Sequence, residues 1–370
     1  MAWPLPSCGE DCGYRAWVRA FVIGGTGLVG RAVSRRLLAG GWRVDVVGRD
    51  RQHLPGDLAA AGVRFITADR EDAPMLTAAF AGGADLLVDC VCFTQAHARN
   101  LLRLAAHASS TVMISSKAVY VDANGHHSNS KQPPRFDAPI SETQPTLAPG
   151  DLPYNSRLGY GRNKVAAERL LLDSGLPVSV LRASKIHGDG ARPAREWIFV
   201  KRVLDRRPVL LAHGGAGVDH PSAAANIAAL VETVASKPGA RILNAADPDA
   251  PNARDIARIV ARQLGHQWSE VALGDDVDPA LGWHPWDRRY PVVLDTTAAV
   301  QLGYQPVGNY QTTVGSAIDW LVRVTEQNGP ARLPERYDES YFAHRFEYDA
   351  EDRYLRNHPG IDHAPPVQRR

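Results

Sequence analysis

The chain has no long apolar run. No stretch beyond its first residues approaches the ~18 residues that a bilayer-spanning helix needs, so a helical membrane protein is excluded. The opening residues carry Glu10 and Asp11 and no apolar core of signal-peptide length. Cysteine is scarce, with four in 370 residues. Cys90 and Cys92 stand two apart in an apolar run; on one strand they face the same side and cannot bridge. Cys8 and Cys12 have no neighbouring ligands for zinc. His213, His220 and His284 lack metal-ligand spacing, so no metal is expected and hydrogen-bonded loop histidines are. Charge of one sign is also missing. A net charge of +2 leaves no footprint for nucleic acid or an acidic membrane surface. These absences point to a reduced, cytoplasmic, globular protein acting on small molecules.

What is present is an alternation of strands and helices. Apolar runs at 18–23, 42–47, 63–67, 84–92, 111–115 and 178–181 read as strands. Helical spacing fills 31–39, 73–80, 96–107 and 160–172 between them. Such alternation predicts an α/β fold: a Rossmann-like, doubly wound parallel sheet covered on both faces. Residues 122–155 are polar and proline-rich, as in HHSNSKQPPRFDAP, and read as a long loop near the active edge. After Arg182 the rhythm changes to helices near 198–204, 223–235 and 253–264 with a short strand at 241–244. The expected organisation is an N-terminal extension (1–17) without order and a nucleotide-binding domain (18–182). A smaller mixed α/β substrate region (183–325) follows, parts of it completing the first domain. An aromatic, charged tail (326–370) ends the chain, either as a cover or for assembly.

The segment Gly24-Gly25-Thr26-Gly27-Leu28-Val29-Gly30 follows the first strand and opens the first helix. Gly25, Gly27 and Gly30 fit G-x-G-x-x-G, and Gly24, Gly27 and Gly30 fit a G-x-x-G-x-x-G variant. A tight turn needs glycine's freedom, a pyrophosphate needs close backbone approach, and a helix N-terminus stabilises its charge. Arg49 ends the second strand ~20 residues after Gly30, where an acid selects NAD and an arginine accepts the 2′-phosphate of NADP. The reading is therefore NADP(H), with NAD(H) the alternative in which Asp50 holds the ribose. Arg31 and Arg35 are expected to add positive charge there.

Tyr160 and Lys164 open a helix at i, i+4 spacing, which sets phenol and ammonium on one face. A nearby cation favours a phenolate, so this pair suits general acid–base work on a carbonyl or hydroxyl oxygen. Ser116 ends a strand of the preceding unit, where a hydroxyl can hydrogen-bond the reacting oxygen.

With these residues in place the chain resembles an extended short-chain dehydrogenase/reductase of the NAD-dependent epimerase/dehydratase family, from about residue 18 to 321. The matching stretches are Gly24–Gly30, Ala68-Asp69-Arg70, Ile114-Ser115-Ser116-Lys117-Ala118-Val119-Tyr120, Tyr160-x-x-x-Lys164, Leu181–Gly188 and Leu294-Asp295 through Tyr304. The resemblance implies catalysis by Ser116, Tyr160 and Lys164. It implies a cofactor site that also takes in Asp69 at the adenine, Arg70, Val91, Cys92 and Ala183. Lys164 is implied to hold the nicotinamide ribose. For a substrate it points to Lys117, Lys185, His187 and His284.

Members acting on nucleotide-diphosphate sugars use one Asn and two Arg residues; the matching positions here are Lys185, Asp219 and His284, and Asp219 is expected to repel a phosphate. Arg288 or Arg289 could stand in. Dehydratases carry Asp and Glu where Lys117 and Ala118 stand, which argues against dehydration. The resemblance thus implies a reductase or dehydrogenase, with an epimerase as the alternative and a non-catalytic, cofactor-sensing or RNA-associated relative as a third reading. A homodimer is compatible with all three.

Overall fold

A computed structural model describes residues 18–278, 280–327, 333, 337 and 339–359. The expectation for 1–17 lies outside these residues, as does much of the tail. The strands are β1 (Arg19–Ile23), β2 (Arg43–Gly48), β3 (Arg64–Thr67), β4 (Ala84–Asp89), β5 (Ala108–Ser116), β6 (Val178–Ala183), β7 (Lys185–His187), β8 (Val209–Leu211), β9 (Pro221–Ala223), β10 (Arg241–Ala245) and β11 (Glu270–Ala272). The helices are α1 (Leu28–Ala39), α2 (Gly56–Ala60), α3 (Ala73–Ala79), α4 (Gln95–Ala105), α5 (Gly159–Leu172), α6 (Trp197–Leu204), α7 (Ala224–Ala235), α8 (Ala253–Gln263), α9 (Thr297–Gln301), α10 (Tyr310–Thr313), α11 (Gly315–Gln327) and α12 (Asp349–Asn357).

Seven strands form one sheet in the order β10-β6-β5-β4-β1-β2-β3, all pairs parallel. This is the Rossmann order with β10 added at one edge, and its direction reverses between β1 and β4. Period-2 alternation sorts the side chains between two cores. Ala20, Val22, Val44 and Val46 meet Val33 and Leu37 of α1 and Ile227, Leu230 and Val234 of α7. Phe21, Ile23, Val47 and Leu87 turn the other way, onto Leu76 of α3, Leu101 and Leu104 of α4, and Leu171 of α5. A third core lies in the second half of the chain, where Trp197 and Phe199 of α6 pack with Ile256 and Val260 of α8, Ile318 and Leu321 of α11, and Trp286.

The end of one strand differs from the sequence expectation. β4 stops at Asp89 rather than at Cys92, because its partner β1 ends at Ile23 and the Asp89 carboxylate accepts the Val91 N–H at 2.8 Å, closing a turn. Cys90 and Cys92 therefore lie beyond the strand; both are free thiols. Residues 122–155 contain no helix and no strand, and an isolated bridge from Ile140 to Leu294 ties them to the second half of the chain.

A buried polar network fixes α5 to the sheet. Arg182 on β6 donates to Glu168 of α5 at 2.6 and 3.2 Å, and Ser115 of β5 also donates to that carboxylate. Glu168 and Arg182 are both buried. The Arg182 guanidinium lies 4.7 Å from the Tyr120 ring centroid, and the Tyr120 hydroxyl donates to Asn244 of β10 at 2.7 Å. Removing one partner of such a pair leaves an uncompensated buried charge. We predict that Glu168→Ala lowers unfolding free energy by ~3–5 kcal/mol, measured by urea denaturation; a loss below ~1 kcal/mol would refute this role for the network.

Candidate active site

The glycine turn sits between β1 and α1 at the strand-order reversal. Gly24 has φ of +76°, a left-handed conformation that glycine adopts without strain. A Cβ on Gly30 would lie 2.4 Å from the Gly24 carbonyl oxygen, and one on Gly25 would lie 2.6 Å from Val46. Gly27 is exposed at the start of α1, and a Cβ there would meet only the Gly24 carbonyl, at 3.3 Å. Packing thus consumes Gly25 and Gly30, while Gly27 leaves the helix N-terminus open to an anionic group. Thr26 and Leu28 are half-buried and Val29 is buried behind them. These features fit a dinucleotide, which would lie across the turn.

Around the turn the expected cofactor residues separate. Arg49 is exposed at the end of β2. The Asp50 carboxylate beside it accepts the Gln52 N–H at 2.8 Å, capping the short turn that follows. Asp69 is exposed and accepts the Glu71 N–H at 3.0 Å. Arg70 pairs with the buried Asp89. Val91 packs over Gly24, and Ala183 ends β6 in register with Ser116 of β5. Arg31 donates to the Asp189 carbonyl, and Arg35 pairs with Asp57 at 2.7 Å. A groove of about 420 Å³ between α1 and α7 runs from Leu28 and Gly188 to Arg36 and Val307; Ser116, Tyr160 and Lys164 do not line it.

Lys164 is 2% exposed and its ammonium donates to the carbonyls of Cys92 and Ile114, each at 2.8 Å. The Ile114 carbonyl lies within β5, near its carboxyl end, and the Cys92 carbonyl in the turn three residues beyond β4, so one side chain of α5 ties β5 to the loop that follows its neighbour. Its Nζ lies 6.0 Å from the Tyr160 ring centroid and 4.7 Å from that of Phe93. Phe93 stacks on Tyr154 with centroids 5.3 Å apart and meets Tyr160 at 6.4 Å. Tyr160 is half-buried. The half-buried Ser116 ends β5 and accepts the Ala118 N–H at 3.2 Å, which orients its hydroxyl. Burial and the Asp89 charge push the Cys92 thiol up to about 12, so it stays protonated. Phe93 and Tyr154, the aromatic wall beside Lys164, carry no sequence motif; only their packing reveals them.

On the substrate side, Lys117 follows Ser116 directly and forms an ion pair with the fully buried Asp219. Lys185 reaches the same carboxylate at 3.2 Å and Arg288 at 2.7 Å. The expectation that Asp219 repels an anion is therefore corrected, since three cations surround its carboxylate. Burial, reinforced by the Arg288 and Arg195 charges, pulls Lys117 well below the usual lysine range, and the same forces act on Lys185. His187 is buried with Nε2 2.8 Å from Asp247 and its ring against Tyr310, so it is held within a structural network. His213 and His220 are hydrogen-bonded, to Asp287 and to the Asp247 carbonyl. His284 is buried against Phe199. Among the described residues, no group of His, Cys, Asp and Glu is arranged to hold a metal, and no helix is long and apolar enough to cross a membrane.

A Rossmann-order sheet with a glycine turn at its reversal and a Tyr–Lys pair at its carboxyl edge defines a nicotinamide-dinucleotide enzyme of the short-chain type. A family model described as NAD dependent epimerase/dehydratase family matches residues 20–220, and the chain belongs to that family of enzymes. Solved structures share the fold. A UDP-glucose 4-epimerase from Thermus thermophilus in complex with NAD is 19% identical with a TM-score of 0.60, covering 82% of this chain and 98% of its own. A dTDP-glucose 4,6-dehydratase from Bacillus anthracis in complex with NAD is 16% identical with a TM-score of 0.63, covering 85% and 100%. The enzyme WbmG from Bordetella bronchiseptica with NAD and UDP is 20% identical with a TM-score of 0.61, covering 84% and 95%. A sequence comparison with curated proteins gives no match.

Burial sets a pH dependence through His284, whose folded-state pKa is lowered to about 4. The unfolded imidazole titrates near ~6.5. Between these values the unfolded state binds more protons, so stability is full above pH ~6.5 and falls as pH drops towards 4. We predict that His284→Phe flattens the stability profile between pH 6.5 and 4, by ~3 kcal/mol at most, read by urea unfolding at stepped pH. An unchanged slope would contradict the assignment.

Proposed function

We propose that this chain is an NADP(H)-dependent reductase or dehydrogenase, moving hydride between the cofactor and a carbonyl or carbinol carbon of a small molecule. The observation that carries this reading is the Lys164 ammonium held between the Cys92 and Ile114 carbonyls, beneath the Tyr160 ring and one strand end from Ser116. A bound nicotinamide supplies or accepts the hydride. The chain's own residues do the rest. Ser116 hydrogen-bonds the substrate oxygen and fixes its position. Tyr160 gives that oxygen a proton in reduction and takes one in oxidation. Lys164, whose ammonium lies 6.0 Å from the Tyr160 ring centroid, offers a donor to the nicotinamide ribose.

NADP(H) is preferred over NAD(H) because Arg49 stands exposed at the end of β2, while Asp50 is turned into a local cap. A guanidinium suits a 2′-phosphate. NAD in the solved relatives supports the coarser reading of a nicotinamide dinucleotide. Lys117 and Ala118, where dehydratases carry acids, leave no carboxyl pair for water elimination. Epimerisation uses the same three residues and is the second reading, favoured by family membership; it gives no net change in cofactor absorbance.

The test is a carbonyl and alcohol panel followed by absorbance at about 340 nm with each cofactor (a general nicotinamide wavelength). Tyr160→Phe is expected to lower kcat by ~10²–10⁴ while NADPH binding, read by fluorescence, stays within twofold (about 0.4 kcal/mol). Full turnover by Tyr160→Phe would overturn the catalytic role.

A further inference from the structure

The groove between α1 and α7 has no part in the catalytic arrangement. Leu28 and Ala32 of α1 form one wall, Ala224, Ala225 and Ala228 of α7 the other, and Val307 stands beside them. The i, i+4 spacing on each helix turns a strip of apolar side chains to the same space. Val307 is 56% exposed, so apolar surface meets water along this groove. Its volume of about 420 Å³ falls within the ~300–1,000 Å³ of small-molecule sites.

The polar groups that border the groove divide into met and unmet. Arg35 pairs with Asp57 at 2.7 Å and Arg36 with Glu232 at 2.6 Å. Thr313 donates its hydroxyl to the Asn309 carbonyl at 2.8 Å. Both guanidinium charges are thus answered within the chain, and the groove does not call for an anion. His187 differs. It is 3% exposed, its Nε2 lies 2.8 Å from Asp247, and its Nδ1 is buried without a hydrogen-bond partner. The Asp247 carboxylate also accepts the Ala223 N–H at 2.6 Å and the Asn226 amide at 2.8 Å, so it is the acceptor and Nε2 carries the proton. His187 lines the groove, whereas Asp247 at its Nε2 and Tyr310 against its ring do not, which leaves the Nδ1 side towards it. An unmatched buried polar atom costs free energy that a suitable ligand recovers.

We propose that this groove binds a small uncharged molecule with an apolar body and one hydroxyl, an alcohol or a phenol, whose hydroxyl pairs with His187 Nδ1. A hydroxyl both donates and accepts, so it matches Nδ1 with or without a proton. It also brings the least polar surface into a space walled by alanine and leucine. The apolar body covers Leu28, Ala228 and Val307. The site stands apart from Ser116, Tyr160 and Lys164, and it does not rest on the catalytic reading above.

Ligand-observed NMR titration of the full chain with 4-ethylphenol and with cyclohexanol tests the proposal. Each is compared with the counterpart in which fluorine replaces the hydroxyl. At least one hydroxyl compound is expected to bind in the millimolar range or tighter, and its fluorinated counterpart about tenfold more weakly (a factor equivalent to about 1.4 kcal/mol). Ala225 is exposed on α7, so Ala225→Trp fills the groove from outside the core and is expected to weaken binding at least tenfold. Absence of binding by both hydroxyl compounds overturns the site. Affinity unchanged in Ala225→Trp overturns its placement in the groove, and equal affinity for the fluorinated counterpart overturns the part given to His187.

Discussion

The structure turns on one side chain. Lys164 reaches from α5 to the carbonyls of Ile114, in β5, and of Cys92, in the loop after β4. A buried ammonium is costly unless its donors are met, and here two carbonyls of the sheet edge meet them. The same contact fixes the distance between α5 and the sheet, and so the height of Tyr160 above the strand ends. Glu168, one turn further along α5, reinforces this through Arg182 and Ser115. Two polar anchors on one helix thus hold the phenol in place.

This arrangement links the two halves of the chain. The strand-order reversal leaves a crevice between β1 and β4, which the glycine turn borders. β5 and β6 end side by side at Ser116 and Ala183. The residues just beyond, Lys117 and Lys185, then meet at Asp219 from the second half of the chain. Ser116, proposed to hold the substrate oxygen, and this buried cluster of charges are therefore adjacent in the chain.

Much of the fold was legible because its signals are local. Alternating Phe21/Val22 and Val46/Val47 announced strands buried on both faces, and the glycine turn announced its own place between strand and helix. Tyr160 and Lys164 were visible through helical spacing. The end of β4 was misjudged because an apolar run does not show where a sheet partner stops. The role of Asp219 was misjudged for a related reason: its partners Lys117, Lys185 and Arg288 are distant in sequence, and no period connects them. Phe93 and Tyr154 were missed because residue type alone does not show which aromatics pack beside Lys164. Long-range electrostatics and loop packing appear only once the chain is folded.

The most direct test of the central claim is a crystal structure of the chain with NADPH bound. The account predicts the nicotinamide ribose within hydrogen-bonding distance of Lys164, the ring facing Tyr160 and Ser116, and the 2′-phosphate at Arg49. A nicotinamide bound away from Lys164, with Tyr160 facing no reacting atom, would contradict it.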